Sequence, residues 1–102
     1  MTIVLAYEYS KEIGKNFAKK IKAEFSLVKV KEFPDKEKLI QITTNVKNKN
    51  VIVVNSLFYP DEKIIDLCLT ADTLKDLGAK NITLIAPYLG YMRQDKRFNK
   101  GE

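Results

Sequence analysis

The chain has no histidine and a single cysteine, Cys68, in 102 residues. That combination excludes a zinc site, a haem site and a Cys–His nucleophile, all of which need imidazoles or several thiols. Cys68 lies in an apolar helical pattern and is expected to be a buried, reduced thiol, as in a cytoplasmic protein. No apolar run is long enough to cross a membrane. The N-terminus opens directly into a strand pattern without a basic leader, so neither a signal peptide nor a membrane partner is expected. GxGxxG does not follow the first strand, and GxxxxGKS or GxxxxGKT occurs nowhere. The dinucleotide-fingerprint and P-loop readings are thereby removed. Arginine is also scarce. Of eighteen Lys plus Arg only Arg93 and Arg97 are arginine, and both fall in one short stretch.

What is present reads as one α/β domain, residues 1–102. Thr2 to Tyr7 is apolar throughout and predicts a first, central strand. Ser10 is the expected N-cap of a helix. Ile13, Phe17 and Ile21 recur every four residues, with Ala18 and Phe25 beside them and lysines opposite, which predicts an amphipathic helix packed on a sheet. Ser26 to Val30 predicts a second strand. Phe33-Pro34-Asp35-Lys36-Glu37 is a turn by composition, and Leu39 to Ile42 resumes strand character, so a hairpin projecting from the main sheet is expected. Phe33 at its tip has two readings: a plug beneath the hairpin, or a ring offered to a base or to another subunit.

Asn45 to Asn50 is a polar connection and Val51 to Val54 a buried strand. Pro60, Asp61 and Glu62 open a second helix, whose predicted apolar face is Ile64, Leu67, Cys68, Ala71 and Leu74. Asp72 is placed near that face as a hydrogen-bonded rim carboxylate. Gly78 ends the helix. Ile82 to Ala86 then predicts a strand buried on both faces, stopped by Pro87. Strands alternating with helices give a three-layer α/β fold with a mainly parallel sheet.

Past that last strand the character changes. Tyr88, Tyr91, Arg93, Gln94, Asp95, Lys96 and Arg97 crowd beyond the carboxyl end of a parallel strand, where open α/β sheets bind ligands. Guanidinium grips phosphate bidentately where ammonium acts as a point charge. The arginine pair therefore suggests a phosphate site, against the plainer reading of a solvated basic loop. The net charge of +5 also raises a nucleic-acid reading. It ranks last, because the lysines are scattered along the whole chain and form no stripe.

The run PYLGYMRQDKRFNKGE, from Pro87 to Glu102, resembles the ATP-loop signature of ribose-phosphate pyrophosphokinases (phosphoribosyl pyrophosphate synthetases). Phe33-Pro34-Asp35-Lys36-Glu37 resembles that family's FPDGE element, and a helix ending Ala71-Asp72-Thr73-Leu74 lies between the two. The resemblance covers essentially all of this chain but about the first third of a full-length family member. It implies a phosphoribosyltransferase-like domain in an enzyme that moves a diphosphoryl group from Mg-ATP to ribose 5-phosphate, for nucleotide biosynthesis. It further implies an ATP or ADP site shared between two subunits. Phe33 would stack on the adenine, Asp35 and Glu37 would accept from it, Arg93 would meet phosphate and base, and Gln94 and Asp95 would complete the loop.

The apolar strand Ile82 to Ala86, uncovered at its edge, invites pairing with another chain, so self-association into a homodimer or larger assembly is expected; the resemblance implies Mg2+ arriving with ATP. The family's metal-binding histidine, mobile basic loop and ribose-phosphate cradle have no counterpart here. No catalytic residue and no protein metal ligand are therefore assigned, and the chain alone is expected to be inactive. The alternative is a non-catalytic partner subunit of a full-length or split synthetase, paired with a C-terminal polypeptide. Lys36 stands at the family's usual glycine, a strained choice if that position takes a positive φ.

Overall fold

A computed structural model describes all 102 residues. Four strands form a parallel sheet in the order β2-β1-β5-β6: β1 Thr2–Ala6, β2 Glu24–Leu27, β5 Asn50–Val54 and β6 Asn81–Ile85. β3 (Lys29–Glu32) and β4 (Lys38–Gln41) pair antiparallel as a separate ribbon. This is the predicted hairpin. The segment read as one strand from Ser26 is in fact the end of β2 and the start of β3, broken at the buried Val28.

Chain direction across the sheet reverses between β1 and β5. The chain runs from β1 through α1 (Lys11–Ile21) to β2 on one side. It then crosses to β5 and continues through α2 (Pro60–Asp76) to β6 on the other. Right-handed crossovers in opposite directions put the two helices on opposite faces. The two cores agree with this. Val4, Ala6, Ala18 and Val54 pack on the α1 face. Ile3, Leu5, Tyr7, Val51, Val53 and Leu74 pack on the α2 face, with Ile40 and Ile42 of the hairpin against them. The architecture is three-layer α/β with a projecting hairpin, as the sequence predicts.

Four local expectations are corrected. In α1 the buried residues are Gly14 and Ala18, while Ile13 and Ile21 are 48% and 43% exposed. The helix lies so close to the sheet that a Cβ at Gly14 would sit 2.6 Å from the Ala6 Cβ, so small residues take the contact line and bulky ones flank it. Ser10 does not cap α1 with its side chain. Its hydroxyl instead accepts from the Tyr7 N–H and donates to the Val54 carbonyl, tying the ends of β1 and β5 together.

The α2 stripe facing inward is Asp66, Thr70 and Leu74, rotated from the predicted apolar face. Cys68 is exposed and so is Asp72, because polar groups rising from β1 and the hairpin need Asp66 and Thr70 as partners. Finally, β6 is the sheet edge. Its side chains are half-buried or exposed, so an apolar run here marks an edge strand, not one covered on both faces.

Candidate functional site

The parallel strands place their carboxyl ends together, and three groups of residues collect beyond them. The first is the hairpin turn. Phe33 donates its N–H to the Glu37 carbonyl at 2.7 Å and accepts from the Lys36 N–H at 2.9 Å. The Glu37 N–H meets Asp35 Oδ1 at 3.0 Å. Hydrogen bonding to the Glu37 side chain, and then to its backbone N–H, holds the Asp35 carboxyl below its ordinary value. Lys36 has φ of 75°, the left-handed conformation that favours glycine. Phe33 is 37% exposed and joins neither core cluster. Lys31 Nζ lies 5.2 Å from its ring centroid, so the ring is a surface feature and not a plug. Phe33, Pro34, Asp35, Glu37 and Lys38 line a shallow cleft of about 500 Å³.

The second group is the segment after β6, folded back on the start of α2. Leu57 donates its N–H to the Tyr88 carbonyl at 2.7 Å. Gly90 passes so close to Pro60 that a Cβ there would lie 2.7 Å from the proline Cβ. Tyr91 donates its hydroxyl to Asp61, which pushes the Tyr91 phenol up from its ordinary value. Phe58 meets Tyr59 and Tyr88 edge-on, at centroid separations of 4.5 and 5.5 Å. The resulting cleft of about 850 Å³ has aromatic walls and carries Asp61, Glu62, Arg93 and Gln94.

Past it the chain closes on itself. Glu102 Oε1 accepts from the Phe98 and Asn99 N–H groups and from Gln94 Nε2, at 2.8 to 2.9 Å. Hydrogen bonds from Asn99, first of its side chain, hold the Glu102 carboxyl below its usual range. Both arginines are exposed and in no salt bridge.

The third group was not anticipated from the sequence. It lies where the crossovers diverge, between the ends of β1 and β5, a position open α/β sheets use for ligands. Asp66, 2% exposed, takes Lys38 Nζ on Oδ1 at 2.8 Å and the Tyr9 hydroxyl on Oδ2 at 3.0 Å. The Tyr7 hydroxyl is 2.6 Å from Thr70 Oγ1, which in turn donates to the Asp66 carbonyl. Burial pushes the Tyr7 phenol up to about 12. Burial and the Asp66 charge push Tyr9 up as well. The two rings stack in parallel at 5.2 Å, and Asn55 Oδ1 beside them is buried without a partner. Asp and Thr four apart on one helix face, with Leu74 completing the stripe, were the available sequence signal.

Of the six predicted site residues, Arg93 and Gln94 line one cleft and Phe33, Asp35 and Glu37 line another. The two clefts share no residue. Asp95 lines neither.

Comparison with known proteins covers the whole of this arrangement. The family described as the N-terminal domain of ribose phosphate pyrophosphokinase matches residues 2–102. A ribose-phosphate pyrophosphokinase of Saccharolobus solfataricus is 38% identical over 98% of this chain and 35% of its own length. One from Sulfurisphaera tokodaii is 39% identical over the same shares. The chain thus spans about 35% of the curated relatives it matches. Among solved structures, a phosphoribosylpyrophosphate synthetase from Mycobacterium smegmatis superposes over 99% of this chain and 34% of its own, with TM-score 0.88 at 22% identity. A purine phosphoribosyltransferase from Pyrococcus horikoshii covers 82% of this chain and 58% of its own, with TM-score 0.64 at 18% identity. These two structures show the fold. With the family match running from Thr2 to Glu102, the chain belongs to the family of the N-terminal domain of ribose phosphate pyrophosphokinase.

Proposed function

We propose that this chain is a single nucleotide-binding domain of a ribose-phosphate pyrophosphokinase system, working in the cytoplasm on diphosphoryl transfer from ATP to ribose 5-phosphate. ATP or ADP lies between the 33–37 turn of one copy and the 93–95 segment of another. The observation that carries this reading is the separation of the two clefts. Within one chain the stacking ring of Phe33 and the guanidinium of Arg93 line different surfaces, so a site needing both is completed by a second copy.

The chemistry of each half fits its task. An exposed aromatic ring offers a base about 1–3 kcal/mol of stacking, and the Asp35 and Glu37 carboxylates accept from an exocyclic amine. Arg93, free of any carboxylate, is available to phosphate oxygens. No group of three or more candidate metal ligands is gathered anywhere in the chain. Magnesium is assigned to the Mg-ATP substrate. The domain binds and orients the nucleotide. Transfer itself, which depends on cationic stabilisation of developing charge, requires groups beyond those assigned to residues 1–102, so these residues alone are inactive.

Mixing two variants tests the shared site directly. Phe33→Ala and Arg93→Ala are each expected to weaken ADP binding about tenfold or more by titration calorimetry, a stacking-sized loss. An equimolar mixture of the two, allowed to exchange subunits, is expected to recover about a quarter of the wild-type sites, since half the dimers are mixed and each holds one intact site. Equal binding by wild type and both variants removes the ATP assignment. Loss in both without recovery on mixing removes the intersubunit arrangement.

A further inference from the structure

The 33–37 turn is exposed at every residue. A two-stranded ribbon standing alone is marginally stable in water, and every residue of β3 is exposed. At the base of the ribbon, Ile40 and Ile42 pack on the core. Near the tip, the last paired residues before the turn are Glu32 and Lys38, and neither belongs to the apolar clusters. Lys38 follows the turn directly, and there the ribbon meets α2 through the Lys38 ammonium, which donates to Asp66 Oδ1 at 2.8 Å and more weakly to the Glu62 carbonyl at 3.4 Å. The two side chains are 11% and 2% exposed, so the pair is shielded from solvent and from salt in a way surface pairs are not.

The second oxygen of Asp66 is held by Tyr9, whose ring is stacked on the buried Tyr7. Neither carboxylate oxygen is free to turn. A buried carboxylate fixed on both sides, gripping the residue that ends a turn, defines where that turn stands.

We infer that Asp66 is a positioning residue for the 33–37 turn: through Lys38 it fixes the height and direction of Phe33, Asp35 and Glu37 over the carboxyl end of the sheet. The consequence for nucleotide binding rests on the function proposed above; the positioning itself does not. Releasing the tie leaves the ribbon paired and its base packed, while the tip samples other orientations. A nucleotide then finds the competent arrangement in only a fraction of molecules, and its apparent affinity falls by that fraction.

The test is backbone relaxation of the 102-residue chain, with ADP titration alongside, on wild type, Asp66→Asn, Lys38→Met and Lys38→Arg. In Lys38→Met the heteronuclear NOE values of Phe33 to Glu37 are expected to fall to those of a mobile loop. Those of Ile40, Ile42 and β1 should stay at wild-type values. Lys38→Arg, which can still reach Asp66, is expected to restore the order of the turn. Asp66→Asn, which leaves Lys38 Nζ an amide oxygen and the Glu62 carbonyl, should loosen the turn to a smaller degree. If it fails to fold, the lysine pair of variants carries the test.

ADP affinity is expected to fall about three- to tenfold in Lys38→Met, matching a competent fraction of that size. An unchanged NOE profile across the turn in Lys38→Met overturns the inference. A loosened turn with unchanged ADP affinity supports the positioning role of Asp66 and overturns the assignment of nucleotide to this turn.

Discussion

Gly14 is the position where two effects on one residue oppose each other, and the geometry says which is larger. Gly14→Ala in α1 should gain about 1 kcal/mol from helix propensity, glycine being the poorest helix former after proline. The new methyl, however, would lie 2.6 Å from the Ala6 Cβ, 3.1 Å from Phe25 Cε1 and 3.7 Å from the Val54 Cβ. Unbonded carbons are at ease near 3.5–4.0 Å. The first contact therefore requires roughly 1 Å of retreat by α1.

Ala6 cannot yield, because it belongs to β1, paired on both sides by β2 and β5. Phe25 can turn, but only by leaving its place against Ala6 and Ala18. Overpacking of this kind costs about 1–3 kcal/mol, and lifting the helix also thins the contacts of Ala18 and Phe17. The net expectation is a loss of about 1 kcal/mol or more, seen as a melting temperature lower by about 4–8 °C per kcal/mol for a domain of this size. Asn16→Ala, at an exposed site of the same helix, supplies the control and should melt slightly higher than wild type. The melts are compared at one protomer concentration, since assembly would shift them. A Gly14→Ala chain as stable as wild type, with Asn16→Ala behaving as stated, would refute the close approach of α1 to the sheet.

Lys36→Gly should stabilise the chain by about 0.5–1 kcal/mol, the left-handed strain at lysine outweighing the entropy glycine adds to the unfolded chain; chemical denaturation checks it, and a destabilised variant would show the turn relaxed in another way. Tyr7 has a folded pKa raised by burial to about 12 from 10, so its contribution is complete below pH 10 and lost as pH rises toward 12. Stability should decline across that window, and less steeply in Tyr7→Phe. Glu102 is shifted the other way, its charged form held by Asn99, so the order of the 94–102 segment should persist above the ordinary carboxylate range and be lost as pH falls through the lower folded value. The amide shifts of Phe98 and Asn99 should titrate with a midpoint below 4.5, the usual value, and Glu102→Gln should abolish that titration. The exposed edge of β6 predicts self-association, so the melting temperature should fall on dilution. A sedimenting monomer with a concentration-independent melt would contradict it.

The sheet was legible because its signal is redundant. β1 and β5 are continuous apolar runs, and the Pro60 start and Gly78 end of α2 are written in residues with few other uses. Helix orientation was not legible at the same resolution. Ile13, Phe17 and Ile21 form a clean period of four, yet the line of closest approach runs along Gly14 and Ala18, since contact distance selects small residues where hydrophobicity selects large ones. On α2 the apolar count pointed to Cys68, while the buried stripe is Asp66, Thr70 and Leu74. The i, i+4, i+8 spacing of these three is the one local trace of it, and an aspartate in such a stripe reads as solvent-facing until its partners are known. Asp66 is buried because Lys38 and Tyr9 reach it from 28 and 57 residues away, and long-range partners of that kind leave no periodicity. Among the candidate site residues the same division holds. The motif residues were visible as motifs, whereas the ties that place them, Lys38 to Asp66 and Tyr91 to Asp61, were not.

Those two ties have one property in common that follows from the chain's path. Asp61 and Asp66 lie on the first turns of α2, the helix that begins at the switch in strand order. Leu57 and Tyr88 are joined just before it. The segment after β6 is therefore fastened at the N-terminal end of α2, and the hairpin is fastened one turn and a half further along, at about 7.5 Å of helix rise. A single helix holds both loops by polar contacts to its carboxylates, while Leu67 and Leu74 pack on the core. Polar ties are directional and apolar packing is not. In this fold the burial of Leu74 and the β5 valines decides that α2 is present, and Asp61 and Asp66 decide where the two loops stand relative to it. Replacing core residues by others of similar volume should then alter stability before it alters the loops. Replacing either aspartate should alter a loop before it alters the fold.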